Sequence, residues 1–283
     1  MFEYLISPGV AKAGTTLLYD LLQKHPQIRR GQVKELHYFD YAENPVKAEY
    51  DEKFLPGQGL KMDITPMYMC RADCVDKMAA TLDPRKVALV VLLRDPVERA
   101  LSHYKMRISQ NLEKRSFEQC FDQEPGKEYP RIHDLRMTGY FPLGLYAPQL
   151  ESLYRRFPPE NIQVYLFEDF VKNQQAYVDK VCRFLGIEPI QVHEMHSNKS
   201  VVHVKSRLAA RLIWNISRFT PNAIKRDWMR KLKYKLASAN ERKDAQDNLD
   251  PQLVRRLTDY YRQDVETLAT RYGLDTSRWK HFA

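Results

Sequence analysis

The sequence predicts an α/β fold: a P-loop-type parallel sheet flanked by helices, with a helical C-terminal part. Three observations carry this. Apolar strand-like runs alternate with helical patterns over residues 2–190, the layout of a doubly wound parallel sheet. One run, "KVALVVLLR" (86–94), is almost continuously apolar, as expected of a parallel strand covered on both faces. At the start of the chain, "FEYLIS", "PGVAKAG" and "TTLLYDLL" read as strand, glycine loop and helix, an order that points backbone N–H groups at one place and suits an anion.

The elements follow in order. Strands are expected at 2–7, 60–65, 86–94 and 162–169, and helices at 15–25, 71–82, 96–108, 146–157 and 172–186. Gly186 followed by Pro189 is a conventional stop for the last of these helices. After residue 205 the pattern is helical only, with Leu208, Leu212, Ile213, Ile216 and Phe219 at helical spacing. A final helix over 250–273 opens on Asp250-Pro251, ends at Gly273 and is expected to pack back on the sheet. No internal repeat or low-complexity linker interrupts the 283 residues. They read as one domain, 1–283, with an α/β core (2–190) followed by basic and C-terminal helices (199–283).

Composition narrows the function classes. Hydrophobic residues make up 43% and charged residues 29%, ordinary for a soluble globular protein. No stretch reaches the roughly 18 to 20 apolar residues of a membrane span, and no signal peptide opens the chain, so a cytoplasmic protein is expected. The four cysteines, Cys70, Cys74, Cys120 and Cys182, lack metal-ligand spacing and read as reduced structural thiols; no metal site is expected. The net charge of +9 is concentrated: residues 199–235 hold eleven Lys/Arg against Asp227 alone. Such a face suits an acidic glycan or an anionic membrane surface, since Trp214, Phe219 and Trp228 interleave with the cations. Solvated basic faces on amphipathic helices are the plainer alternative. No recognised nucleic-acid module accompanies the basic pI, and nucleic acid is not an expected partner.

The glycine loop is unusual in one respect. Gly9 and Gly14 permit a tight turn, and Thr15 and Thr16 offer hydroxyls in the first helical turn. An ATP-binding P-loop places Lys directly before Ser/Thr; here Lys12 sits two residues before Gly14, inside the loop. Asp95 ends an apolar strand as a metal-holding acid would, but Arg94 and Pro96 flank it. "LLRDPVERALSHY" reads better as an Arg at a strand end followed by a helix with Pro at its first position. A P-loop kinase is therefore the weaker alternative.

"GVAKAGTT" resembles the 5′-phosphosulfate loop of sulfotransferases that use 3′-phosphoadenosine-5′-phosphosulfate (PAPS), and "RDPVERALSHY" resembles their 3′-phosphate motif. "KELHYFD" (34–40), "DITPMYM" (63–69), "GLYAPQLESLYRRFP" (144–158), "VYLFEDF" (164–170) and "FLGIEP" (184–189) follow in the family's order, so the similarity covers most of residues 2–190. The resemblance implies a sulfotransferase fold, PAPS as donor, PAP as product, no required metal, and a hydroxyl acceptor, a carbohydrate ahead of a lipid or natural-product alcohol. It is closest to the glycan or heparan-type branch. It implies a bacterial cytoplasmic enzyme, or a Golgi-lumen relative parted from its anchor.

It also implies a donor site of Lys12, Ala13, Gly14, Thr15, Thr16, Arg94 and Ser102, with Arg242 and Lys243 as the basic loop before the final helix. Lys12 would stabilise charge developing on the leaving phosphate. For the base, Glu35 and His37 stand two apart, on one face of an extended segment. The heparan-type branch implies Glu35 and the small-molecule branch His37. One departure is informative: Ile64 stands where heparan-type enzymes often carry a second catalytic Lys, and Lys61 could replace it only with a different geometry. Asp63 remains available to hydrogen-bond within the site, and acceptor choice falls to loops 41–58 and 109–143.

Overall fold

The computed structural model describes residues 1–110, 112–195 and 249–283. The basic segment 199–235, the membrane or glycan contact expected through it, and Arg242 and Lys243 lie outside the described residues. Among the described residues no helix is long and apolar enough to cross a membrane.

Five parallel strands form the sheet: β1 (Tyr4–Ser7), β2 (Ile28–Arg30), β3 (Leu60–Ile64), β4 (Val87–Leu93) and β5 (Ile162–Leu166), in the order β2-β3-β1-β4-β5. All seven residues of β4 are buried, as its unbroken apolar run requires. β1 pairs with β3 through Ile6 beside Asp63 and with β4 through Ile6 beside Leu89. The described helices are α1 (Thr15–Leu22), α2 (Tyr38–Tyr41), α3 (Lys47–Asp51), α4 (Ala72–Thr81), α5 (Pro96–Ser109), α6 (Phe117–Asp122), α7 (Ile132–Thr138), α8 (Ala147–Arg156), α9 (Phe167–Lys172), α10 (Gln174–Leu185) and α11 (Pro251–Tyr272).

The structure departs from the sequence expectations at identifiable places. β2 is three residues, Ile-Arg-Arg, too short and too charged to register as an apolar run. α1 stops at Leu22 rather than residue 25, because Pro26 disfavours helical backbone at His25. The strand expected to run to 169 ends at Leu166, and Phe167 opens α9, whose first turn carries Glu168 and Asp169, acids that suit a helix N-terminus. α10 matches the helix expected over 172–186 to within two residues, and α9 is an additional short helix ahead of it. α11 packs back against α5 and α8 and shares the core cluster of the sheet. The buried Asp264 accepts the backbone N–H groups of Tyr146 (2.8 Å) and Ala147 (2.9 Å) at the start of α8. Tyr261 donates to the Phe141 carbonyl at 3.0 Å.

The early turn at Phe167 matters for the glycine loop. Gly14 has φ +91°, a left-handed conformation, and a Cβ there would lie 2.6 Å from the Phe167 ring. Gly14→Ala is therefore expected to lose about 2–4 kcal/mol of stability, from left-handed backbone plus overpacking. Chemical denaturation checks this; an unchanged midpoint would contradict the packing described.

Candidate functional site

The chain reverses its direction of winding at β1, sending β3 to one side and β4 to the other. In open α/β sheets the crevice at the carboxyl ends of such strands is where ligands bind. The loop after β1 and Arg94 after β4 meet there.

The loop is pinned to β4 before it turns. Val10 N–H donates to the Leu92 carbonyl at 3.0 Å, and Leu92 N–H to the Gly9 carbonyl at 3.1 Å. Lys12 (φ 73°) and Gly14 then adopt left-handed backbone, and α1 begins at Thr15, buried, with Thr16 exposed beside it. Arg94 Nη1 donates to the Lys12 carbonyl at 3.3 Å. Its guanidinium lies 4.8 Å from the centre of the Phe167 ring and 3.6 Å from Glu98. Phe167 thus fills the space over Gly14 and supports Arg94 with the same ring. Lys12 Nζ reaches Met106 on α5 at 3.7 Å. Ser102 lies one helical turn from both Glu98 and Met106, on the α5 face that meets Arg94 and Lys12. Lys12, Ala13, Gly14, Thr15, Arg94 and Ser102 are therefore brought to one place.

The place is electropositive. Burial pushes the Lys12 ammonium down to about 8, and the positive charges of Arg94, Arg99 and Lys34 add to the shift. Arg99, fully buried on α5, donates to the Tyr140 carbonyl. An anion bound by the loop would lower the energy of all these cations together.

Asp95 does not serve this crevice as a metal-holding acid. Its Oδ1 caps α5, accepting from Val97 (2.9 Å) and Glu98 (3.2 Å). Its Oδ2 accepts from the His281 backbone N–H at 3.0 Å and stands 2.8 Å from His281 Nδ1. Glu168 accepts from Asp95 N–H and from the buried Trp279 indole, each at 3.1 Å. Residues 279–281 thereby brace the turn that aims Arg94.

The segment 34–40 lies across the crevice. Glu35 and His37 do converge, with Glu35 Oε2 3.4 Å from His37 Nε2. They do so by a route other than the extended one expected: His37 takes left-handed backbone (φ 51°) and precedes α2. Its Nδ1 lies 2.6 Å from Asp40. Burial alone would lower the His37 pKa, but the hydrogen bonds to Asp40 and Glu35 outweigh it and raise it to about 9. Burial likewise opposes ionisation of Glu35, yet His37 and Lys34 hold it down at about 2. The resting pair is carboxylate and imidazolium.

Lys34, beside Glu35 in the sequence, bridges two parts of the crevice. It donates to Glu35 Oε1 at 2.9 Å and also to Thr16 Oγ1 at 2.8 Å. Lys34 therefore joins the anion loop to the carboxylate. Lys61 is no substitute for the Lys absent at Ile64: its ammonium is held by Asp51 at 2.6 Å, over the Tyr4 ring at the opposite end of the sheet. Within the loop 109–143, Arg136 on α7 donates to the hydroxyl of the exposed Tyr41 at 3.3 Å. The Tyr41 ring lies 5.6 Å from that of His37. Asp40 could have been suspected from its place three after His37 in "HYFD". The reach of Arg136 across 95 residues left no local trace in the sequence.

An anion loop facing a carboxylate across the crevice of a parallel sheet defines a group-transfer architecture. The family model described as "Sulfotransferase domain" matches residues 5–269, and the chain belongs to that family. It is 31% identical over 187 residues to heparan sulfate glucosamine 3-O-sulfotransferase 3B1 of Mus musculus, covering 64% of this chain and 45% of that protein. It is 41% identical over 105 residues to the membrane-associated sulfotransferase kil1 of Dictyostelium discoideum, covering 35% and 22%. The chain thus matches less than half the length of these relatives. In fold it is similar to a sulfotransferase from Alicyclobacillus acidocaldarius (TM-score 0.69, 21% identity, 99% of each chain covered). It is also similar to mouse sulfotransferase SULT7A1 complexed with PAP (TM-score 0.54, 15% identity, 98% of this chain and 88% of that one).

The His37–Glu35 pair makes stability depend on pH. His37 is raised from 6.5 to about 9, so its contribution is complete below about 6.5 and is lost as pH rises through 9. Glu35 is lowered from 4.5 to about 2, so its contribution is present above about 4.5 and is lost as pH falls through 2. Melting temperatures followed from pH 6 to 9.5 should fall less in His37→Gln than in the parent; equal slopes would show that the ion pair contributes nothing.

Proposed function

We propose that this chain is a PAPS-dependent O-sulfotransferase whose acceptor is a carbohydrate hydroxyl. The observation that carries the reading is Lys34, which spans from Thr16 on the anion loop to Glu35, setting the cationic loop and a carboxylate one side chain apart. The crowded cations fit an anionic donor, and the Gly14 turn leaves no room for a Cβ in the loop. The donor supplies a sulfuryl group on a phosphate leaving group.

The residues then divide the work. Backbone N–H groups of residues 14–16 and Lys12 would hold the 5′-phosphate, the Ala13 N–H being taken by the Val10 carbonyl at 3.2 Å; Arg94 and Ser102 would hold the 3′-phosphate. Glu35 takes the proton of the acceptor hydroxyl as its oxygen bonds to sulfur. The sulfur–oxygen bond to the phosphate breaks, and Lys12 stabilises the charge left on that oxygen. His37, held protonated between Asp40 and Glu35, orients the carboxylate and is not itself the proton acceptor. A bound donor competes with Glu35 for Lys34, and the carboxylate becomes the stronger base when that bond is lost. No metal enters these steps, and Asp95, which the kinase alternative needs, is engaged in capping.

The carbohydrate acceptor is supported by the named activity of the heparan sulfate relatives. It is supported too by Tyr41 and Arg136, an exposed ring and a guanidinium beside Glu35 and His37, suited to a sugar face and an anionic substituent. Lys12→Ala is expected to abolish transfer. Glu35→Gln is expected to lower kcat about 10²–10⁴-fold while PAP affinity by calorimetry stays within about twofold. Loss of kcat in His37→Ala with normal kcat in Glu35→Gln would reverse the assignment of the base.

A further inference from the structure

The catalytic segment owes its shape to neither helix nor strand. Lys34 to His37 lies between β2 and α2, and His37 has left-handed backbone, unfavourable for a residue with a Cβ. Three successive backbone N–H groups there are taken by side chains from the stretch after β3. Thr65 Oγ1 accepts from Leu36 (3.0 Å) and His37 (3.3 Å), and the Tyr68 hydroxyl accepts from Tyr38 (2.9 Å). Both hydroxyls then donate to one buried carboxylate: Thr65 to Asp63 Oδ1 at 2.6 Å and Tyr68 to Asp63 Oδ2 at 2.9 Å. Tyr50 adds a third donor to Oδ2 at 2.9 Å. Asp63 and Thr65 are 0% exposed, as are Tyr50 and Tyr68. Asp63 itself is fixed in the sheet beside Ile6 of β1, the strand that launches the anion loop.

We infer that Asp63, Thr65 and Tyr68 are positioning residues: a buried carboxylate orients two hydroxyls so that they fix the backbone of residues 36–38, and thereby set Glu35 in register with the loop of Lys12. The geometry is directional. A hydroxyl that donates to Asp63 presents its lone pairs to the N–H groups, so the carboxylate decides which way each hydroxyl points. Because Asp63 lies in β3 and Lys12 follows the adjacent β1, loop and base share one rigid reference. The inference rests on Glu35 acting as the base.

The test is Thr65→Val against Thr65→Ser. Valine keeps the shape and removes the hydroxyl; serine keeps the hydroxyl. Thr65→Val should lower kcat about 10–100-fold, the scale of a misplaced catalytic group, with PAP affinity within about twofold. Thr65→Ser should stay within about threefold of the parent. In the Glu35→Gln background, Thr65→Val should cost less than about threefold further, because the group it positions is already disabled. Should Thr65→Val fail to bind PAP, Tyr68→Phe carries the same test by removing one hydroxyl, with kcat expected about 5–10-fold lower and PAP affinity kept. Normal kcat in these variants, or a full independent loss in the Glu35→Gln background, would overturn the inference. Normal kcat in Glu35→Gln itself would instead strike the assignment of the base, so the two failures are distinct.

Discussion

The structure is organised around a concentration of positive charge at the carboxyl ends of β1 and β4. Lys12, Arg94, Arg99 and Lys34 gather where β1 and β4 end, and burial there makes their repulsion costly. Glu35 partners Lys34, and the other nearby carboxylates divide between pairing and bracing. Asp95 caps α5 and holds His281, Glu168 holds Asp95 and Trp279, and Glu98 flanks Arg94 from one side. Folding tolerates the crowding because each cation has a rigid support: Phe167 under Arg94, Met106 against Lys12, Thr16 against Lys34. The arrangement is complementary to an anion spread over more than one group.

A second constraint follows. The proposed transfer needs the anion and the acceptor base held at a fixed separation, and the loop of Lys12 and Glu35 stand on different stretches of chain. The sheet supplies the common reference, since the loop follows β1 and the Asp63–Thr65 network follows its neighbour β3. Lys34 closes the remaining gap. His37 and Lys34 favour the ionised form of Glu35, and Asp40 in turn favours the protonated form of His37.

Much of this was legible in the sequence, and the reason is local. The residues proposed to hold the donor sit at strand-to-loop-to-helix junctions, where spacing along the chain fixes spacing in space: Lys12 after β1, Arg94 after β4, Ser102 two turns into α5. β4 was unmistakable because it is apolar throughout. What escaped is long in range or short in length. Lys34 meets Thr16 across 18 residues, Thr65 meets Leu36 across 29, and Arg136 meets Tyr41 across 95. No periodicity encodes such contacts. The left-handed backbone at His37 converted an expected extended strip into a turn, yet it still brought Glu35 and His37 together, because the Thr65 hydroxyl dictates the local path. The early end of β5 went unseen because "VYLFED" reads equally as strand or helix start, and only the packing of Phe167 on Gly14 decides it.

The proposed function requires that the cationic crevice bind a nucleotide carrying a 3′-phosphate through Arg94. Calorimetric titration with PAP, beside ATP plus Mg²⁺, on the parent chain and on Arg94→Ala tests it most directly. The expected result is PAP binding that Arg94→Ala weakens at least about tenfold, the worth of a charge-assisted phosphate contact, with little response to ATP. Preference for Mg-ATP, no binding of either nucleotide, or PAP binding indifferent to Arg94 would contradict it.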